Sequence, residues 1–596
     1  MSHSLSELGQ ILFREVSNRA LDDELRVRVS TLHGTEGAGP PDAAWRFHFL
    51  SLTRDPNDAA TLYLVGDRKA DETKSALLTF TRAEAGEVQV REQPFRPADR
   101  ETVREMATKD ARFLPRPQKD LPAVAVGNRH PEISLPAVFD AFGRVLDETG
   151  VNMASTVQLS ATREMTIDEA IAARDGEDPT AIGHTRVSIE HLYHSGLWAA
   201  VRAGWRHGYS AEADHFIVSG ANRFEIAASI EATEEAIRRA AGYTKFTTDT
   251  SRLFQLEADT RHPNAWTDTQ VDDAFAEKLS SDEQGWLLNE FTPKKRVEEY
   301  SYDFAPPEVR RLAVKFSESL KLNEQLYDFI RLQKSGAAFD FEPSIDEAAT
   351  LTTPKELFFY MHWLRERGRP AGLVPPNLGF KKRQAYPEEL GPLKDYAAHK
   401  MWPELVPAVE GKFGGDPVAE LAGRVRELAA VARHFDGTLS IHSGSGKQAR
   451  VLEMIGQATA GRVNYKISGE LQLQLLDVLS EQPEGNPWRA LYKRMVDRCR
   501  EFASKNAFGE ESELAEVYKA KGLEYYLGDR DSGRVDGNLF LVFWIGNLVG
   551  TRDRDAPDGD TRFFKEKIDE LPRDLVAEVR RRNAEYIVWL AKRLRP

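Results

Sequence analysis

Five residues with side chains able to hold a cation or move a proton stand where β-rich segments end: Asp214, His215, Asp346, Glu347 and His442. Imidazole and carboxylate donors suit zinc, iron, nickel or manganese. Gathered at one rim, they would form an open catalytic metal site, where a cation polarises a substrate oxygen. A second set is mostly basic: Lys245, Asp249, Lys447 and Lys466, with Lys381 and Lys382 beside Arg383. A lysine beside a carbonyl can bind a carboxylate, or act as an acid once burial lowers its pKa. Ordinary structural readings stand next to these. Asp346 and Glu347 can start a loop, His215 can cap a carbonyl, and Lys381 and Lys382 suit a solvated surface. Lys245 and Lys466 fit a surface role less well, because they lie inside strand-like segments.

The stretch Gly437-Thr438-Leu439-Ser440-Ile441-His442-Ser443-Gly444-Ser445-Gly446-Lys447 carries the strongest local signal. Three residues of β character run into His442, and alternation puts Ser440 and His442 on one face. A Ser-Gly-Ser-Gly turn follows, then a helical pattern over residues 447–457. Amides at a helix start can hold an anion, and Lys447 adds charge. A P-loop does not fit. Ile441 stands where its first glycine belongs, and Gln448 replaces the Ser or Thr that would meet magnesium. The helical His-Glu-x-x-His zinc pattern is absent.

The elements that must position these residues alternate. Strand-like segments at 151–159, 208–216, 243–250, 339–347, 372–379, 439–441 and 463–469 are separated by helical patterns, and polar residues gather at the strand ends. That rhythm predicts an α/β fold, a (β/α)8 TIM-like barrel. The segment at 243–250 alternates Lys245, Thr247 and Asp249 on one face, which is costly for a buried strand unless the polar groups are used or paired. Residues 1–130 read as an N-terminal α+β module, with a helix at 5–16, four strands between 45 and 92, and a proline-rich connector at 115–122. The barrel domain is expected over 131–484. A mostly helical extension follows over 485–596, its last helix amphipathic and packed through one apolar face.

The chain has 596 residues, 29% of them charged, with a net charge of -14, which disfavours a basic nucleic-acid-binding surface. Its single cysteine, Cys499, excludes an internal disulfide and a cysteine-built zinc site. The first residues lack the basic start and apolar core of a signal peptide. The longest apolar run, 539–549, is interrupted by Gly546 and Asn547 and is too short to span a bilayer. The expectation is a cytoplasmic protein that acts on a small molecule, with no nucleic-acid or membrane partner; a homo-oligomer is compatible with the sequence.

At these residues the chain resembles the tagaturonate epimerase family. The resemblance rests on Ala213-Asp214-His215, on Gly242-Tyr243-Thr244-Lys245-Phe246-Thr247-Thr248-Asp249 and on Ile345-Asp346-Glu347 with Thr353-Pro354 beyond. It continues through Pro376-Asn377-Leu378-Gly379-Phe380, His442-Ser443-Gly444-Ser445-Gly446-Lys447 and residues 466–469. It implies a divalent-metal-dependent interconversion of D-tagaturonate and D-fructuronate. Two departures mark a divergent member: Gly446 stands where the family has Asp, and Asn464 where it has His. The strand-end positions make His215, Asp346 and His442 the expected metal ligands. Glu347 or Asp249 is the expected acid/base, and Lys245 and Lys466 hold or protonate oxygens. Ser443, Ser445 and Lys447 are expected to take the carboxylate, with Asn377 also on the substrate. Two alternatives stay open: an epimerase or isomerase of another ketose or sugar acid, and an inactive sugar-acid-binding protein.

Overall fold

In a computed structural model, the described residues are 45–54, 60–68, 71–82, 88–95, 111–127, 130–158, 188–346, 350–380, 416–504 and 570–596, with a few isolated positions besides. They form two compact units: residues 1–115 with 191–208, and residues 116–190 with 209–596. The first unit holds an antiparallel sheet of four strands in sequence order: β1 (Trp45–Arg54), β2 (Ala60–Arg68), β3 (Asp71–Arg82) and β4 (Val88–Phe95). These match the four strands expected there. The helix expected at 5–16 and the apolar run at 539–549 lie outside the described residues. Among the described residues no helix is long and apolar enough to cross a membrane.

The second unit is built on eight parallel strands. They are β5 (Ala123–Gly127), β6 (Ala154–Gln158), β7 (Ser210–Ile217), β8 (Lys245–Asp249), β11 (Asp340–Ser344), β12 (Leu373–Val374), β13 (Thr438–Ile441) and β14 (Val463–Ile467). A hairpin, β9 (Lys295–Val297) with β10 (Tyr300–Tyr302), lies between β8 and β11 in the chain. Apart from β11 and β12, which end the sheet, each barrel strand pairs with its neighbours in sequence, and β14 pairs with β5. The sheet closes between β11 and β12, where Gly372 N donates to Phe341 O at 2.8 Å and Ile345 N to Pro375 O at 3.3 Å. This is the expected (β/α)8 architecture. The barrel takes in Ala123–Gly127, so it begins ahead of residue 131. That strand reads Ala-Val-Ala-Val-Gly and lacks the polar end that marks the others.

Helices follow the strands: α1 (Pro131–Thr149), α2 (Ile189–Arg202), α3 (Arg223–Arg239), α4 (Asp268–Lys278), α5 (Ser281–Phe291), α6 (Pro306–Gln333), α7 (Pro354–Glu366), α8 (Pro417–His434), α9 (Ala449–Ala458), α10 (Gly469–Ser480), α11 (Pro487–Ser504) and α12 (Arg573–Arg593). The outward strand positions are apolar and buried, among them Val124, Val126, Phe246, Phe341, Leu439, Ile441 and Val463. The terminal α12 returns to the barrel: Arg580 Nε donates to Ile133 O at 3.2 Å, and Arg582 pairs with Glu481 at 2.6 Å.

Two buried polar networks fix the rim. Thr353 caps α7 as its sequence predicts, with Pro354 in the first turn and Glu356 completing a capping box. Glu356 also receives Lys315 at 2.6 Å and Arg261 at 2.7 Å, and both cations reach Asp259. This quartet ties the loop after β8 to α6 and α7. Behind β8, Thr248 Oγ1 donates to Asn323 Oδ1 at 2.5 Å, and Asn323 Nδ2 donates to Tyr360 OH at 2.8 Å. Thr248 thus points outward, which leaves its neighbours Thr247 and Asp249 facing the barrel axis.

Removing one member of the quartet should strand buried charge. Glu356→Ala is expected to cost about 3–5 kcal/mol of unfolding free energy. Denaturant titration checks this; a loss below about 1 kcal/mol would count against the quartet as a rim anchor.

Candidate active site

The inner face of the barrel is polar on most strands. β7 contributes Ser210, Glu212 and Asp214; β8 contributes Lys245, Thr247 and Asp249; β11 contributes Glu342 and Ser344; β13 contributes Ser440, and β14 Asn464 and Lys466, all buried. Contacts between strands on opposite sides of the sheet place these side chains inside. Lys245 Nζ of β8 donates to Asn464 Oδ1 of β14 at 3.0 Å, and Lys466 Nζ of β14 donates to Asp214 Oδ1 of β7 at 2.7 Å.

The interior is layered. At the lower level, Lys245 pairs with Glu212 at 2.9 Å and donates to Ser155 Oγ at 3.3 Å. Asn464 Nδ2 donates to Ser440 Oγ at 2.8 Å, so this amide is fully engaged beneath the mouth. Above it, Lys466 Nζ meets Glu342 Oε1 at 2.5 Å, Thr247 Oγ1 at 3.2 Å and also Glu212 Oε1. Thr247 Oγ1 lies 3.1 Å from both Glu212 Oε1 and Glu342 Oε1. At the mouth, His442 holds two carboxylates: Nε2 is 2.8 Å from Glu342 Oε1, and Nδ1 is 3.1 Å from Asp346 Oδ2. His215 faces it edge-on, with ring centroids 5.3 Å apart, and lies 3.6 Å from Asp249 Oδ2 and 3.7 Å from Asp214 Oδ2.

Backbone irregularities aim these groups. The β7–β8 register shifts between Ala213 and Phe216, and His215 has φ 51. The bulge turns both Asp214 and His215 towards the mouth, which a regular strand forbids. Ser443, just past β13, has φ 57. Such conformations cost on the order of 1–3 kcal/mol each for residues other than glycine. The turn is pinned to β14: Gly444 N donates to Lys466 O at 3.2 Å, and Tyr465 OH donates to Gly444 O at 2.7 Å. A Cβ on Gly444 would overlap the Tyr465 ring and lie 2.8 Å from Lys466 O, so glycine is required there.

Charge dominates the chemistry. Burial works against the ionised forms of Asp214, Glu342, Asp346 and His442, and their partners overcome it. Asp214 is held down to about 2 against burial by His215 and Lys466. Glu342 stays well below the usual carboxylate range, chiefly through Lys466 and His442, and Asp346 is lowered mainly by His442. The His442 imidazolium is disfavoured by burial, but Asp346 and Glu342 push it up to about 10. Glu212, Asp214, Asp249, Glu342 and Asp346 face two ammoniums, Lys245 and Lys466, an excess of three negative charges that two protonated imidazoles or one divalent cation would cut to one. A divalent cation fits. One ligand atom each from Asp214, Glu342 and His442 lies within 4.8 Å of the others, and all three residues are buried. Glu342 Oε2, fully buried, has no hydrogen-bond partner among the described residues. One imidazole with two carboxylates is a donor set for zinc, nickel, iron or manganese.

His215, Asp346 and His442, read from sequence as ligands, meet at this mouth together with Asp249 and Lys466. Lys245 lies a layer below. Glu347, Lys381 and Lys382 lie outside the described residues. Lys447 Nζ donates to Ser443 O at 3.1 Å and Ser445 O at 3.4 Å and sits over the Phe380 ring, so it braces its own turn. Ser445 Oγ accepts from Ser468 N at 3.3 Å. Asn377 builds the neighbouring loop, its backbone N donating to Thr352 Oγ1 and its Oδ1 accepting from Gly379 N, both at 2.8 Å. Sequence reading passed over Glu212 and Glu342. Their signal was available, since each alternates in register with other polar residues of its strand.

Comparison with known proteins supports the resemblance. A family model described as UxaE, tagaturonate epimerase, matches residues 179–386. The tagaturonate/fructuronate epimerase of Thermotoga maritima is 24% identical over 329 residues, covering 54% of this chain and 57% of that relative. The chain thus matches little more than half the length of this curated relative. The native crystal structure of the fructuronate-tagaturonate epimerase UxaE from Cohnella laeviribosi superposes with a TM-score of 0.57 at 17% identity, over 90% of this chain and 96% of that one. A glycerol complex of the same enzyme gives 0.59 at 18% identity, over 91% and 96%. At this identity the likeness is one of fold.

The raised His442 pKa has a measurable sign. Protonated His442 stabilises the fold fully below its ordinary pKa of 6.5, and this contribution is lost as pH rises through about 10. For the metal-free chain, unfolding free energy measured across that window should therefore decline, and His442→Gln should flatten the decline. Parallel curves for wild type and variant would refute the pairing of His442 with Asp346 and Glu342.

Proposed function

We propose that this chain is a carbohydrate epimerase that interconverts ketouronates such as D-tagaturonate and D-fructuronate around a divalent cation. The observation that carries this reading is the convergence of His442, Asp214 and Glu342 at the C-terminal mouth of the barrel, with Asp346, His215 and Asp249 beside them. A barrel of this kind places its chemistry at that mouth. The named relatives act on this pair of sugar acids.

The substrate pair limits the mechanism. The two ketoacids differ at the carbon one removed from the carbon next to the ketone. Its hydrogen is not acidified by the carbonyl, so simple enolisation cannot invert it. Retro-aldol chemistry can. Loss of the hydroxyl proton on the inverting carbon makes that carbon an aldehyde. The bond to the carbon beside the ketone breaks, and its electron pair moves onto the three-carbon ketone fragment as an enediolate. The aldehyde turns its other face and the bond re-forms.

The cation, when bound, supplies a Lewis acid for the ketone and its neighbouring hydroxyl. Asp214, Glu342 and His442 would hold it. Asp346 Oδ2, 3.1 Å from His442 Nδ1, backs that nitrogen, so Nε2 would be the one to face the cation. This gives Asp346 an orienting role instead of direct ligation. His215 is the group best placed to take and return the hydroxyl proton, because Asp249 backs its Nδ1 and its side chain is more open to the mouth than His442. Ser251 donates to Asp249 Oδ1 through both N and Oγ, which leaves Oδ2 for the imidazole. Glu212, Thr247 and Lys245 form the floor beneath the reacting groups.

Metal analysis and a turnover screen of ketouronates and ketohexoses test the reading. The wild type should retain stoichiometric divalent metal and epimerise a ketouronate. His442→Ala should lose the metal, and full occupancy in that variant would remove His442 from the ligand set. Turnover of neutral ketoses alone would redirect the substrate assignment. In deuterium oxide the inverted carbon should keep its original hydrogen; deuterium there would exclude the retro-aldol route. His215→Gln should lower kcat on the order of 10²–10⁴-fold, the range for a lost acid–base group.

A further inference from the structure

Lys466 stands against the carboxylates on which the cation reading draws. Its ammonium is 2.7 Å from Asp214 Oδ1 and 2.5 Å from Glu342 Oε1. These carboxylates are two of the three groups that can gather around a cation, with His442 the third. Glu342 Oε2 has no hydrogen-bond partner among the described residues, but a divalent metal drawing on these two carboxylates would still stand against the ammonium that holds Glu342 Oε1 and Asp214 Oδ1. At contact distance in a buried site their repulsion is poorly screened.

The same lysine has a second berth. Its Nζ also meets Glu212 Oε1, and Thr247 Oγ1 lies 3.2 Å away. Glu212 is fully buried, and its other oxygen pairs with Lys245 at 2.9 Å. A short rotation of the lysine tail can therefore release Asp214 and Glu342 while keeping a charged partner. Without Lys466 or a metal, Glu212, Asp214 and Glu342 would face one another as buried carboxylates with only Lys245 and the two imidazoles, His442 on Glu342 and His215 beside Asp214, to offset their repulsion.

We propose that Lys466 is a resident counter-cation: its ammonium holds Asp214 and Glu342 together in the metal-free chain, and is driven onto Glu212 and Thr247 by charge repulsion when a divalent metal takes those two carboxylates. The proposal rests on the metal reading given above. It assigns Lys466 a positioning role, set against its expected one of protonating substrate oxygens. The lysine preforms the site and at the same time weakens metal binding, because each binding event displaces it.

Direct binding of Mn(II) or Zn(II) to the chelator-stripped chain, measured by calorimetry, tests this alongside thermal unfolding in chelator. Lys466→Met should bind metal at least tenfold more tightly than wild type, and should melt earlier without metal. Lys466→Arg keeps the charge and should show no tightening. Wild-type binding with equal or weaker binding by Lys466→Met would overturn the proposal and leave the metal reading standing. Absence of binding by both chains would overturn the metal reading, and the proposal with it. If Lys466→Met does not fold, a crystal structure of the metal-loaded wild type decides. Nζ withdrawn from Asp214 and Glu342 supports the exchange; Nζ still within hydrogen-bond distance of both overturns it.

Discussion

The mouth of the barrel must satisfy one electrostatic constraint: the carboxylates of Glu212, Asp214, Asp249, Glu342 and Asp346 share a largely buried space with two ammoniums. Charges buried this deeply persist only when paired, because desolvation otherwise costs several kcal/mol per ion. The structure meets the demand by contact across the axis. Lys466 bridges carboxylates of β7 and β11, Lys245 bridges β7 and β14, and His442 joins Glu342 to Asp346. An ordinary barrel of this type fills the same volume with branched apolar side chains. Here the polar filling couples strands far apart in the chain, so the fold and the site depend on the same ion pairs.

That coupling explains the irregular backbone. Regular alternation gives each strand one inward residue in two, which is too few at the mouth. The bulge in β7 brings Asp214 and His215 to the mouth together. The left-handed Ser443 and the side-chain-free Gly444 let the turn after His442 lie against Tyr465 and Lys466. The glycine-rich turn, whose composition suggests anion binding, is also tied by these contacts to β14. Lys447 completes it from within, on the carbonyls of the turn itself.

The outer shell holds this arrangement in place. The Asp259–Arg261–Lys315–Glu356 quartet and the Thr248–Asn323–Tyr360 chain anchor the segments that carry Asp249 and the start of α7. Both networks join groups contributed by loop, strand and helix, and every member is buried or half-buried. They are rigid supports of the kind that a site demanding sub-ångström placement requires.

Much of this was legible in the one-dimensional pattern. Alternating β and α periodicity dictated a parallel barrel, because a strand polar on one face and apolar on the other needs helices outside and partners within. The acids and histidines at strand ends marked the mouth, and His215, Asp346 and His442, separated by more than two hundred residues, do converge. Thr353 and Pro354 began a helix where capping chemistry requires one. Sequence could not rank the polar residues by depth, since alternation assigns a face but no partner across the axis. Only the closed sheet brings Glu212 and Glu342 against Lys466 and His442 and sets Lys245 a layer beneath them. It also shows that Asn464, Lys447 and Asn377 are engaged in holding the framework. The start of the barrel at Ala123 was hidden for a related reason: a strand of alanine, valine and glycine carries no polar mark, and only its hydrogen bonds to β6 and β14 give it a place.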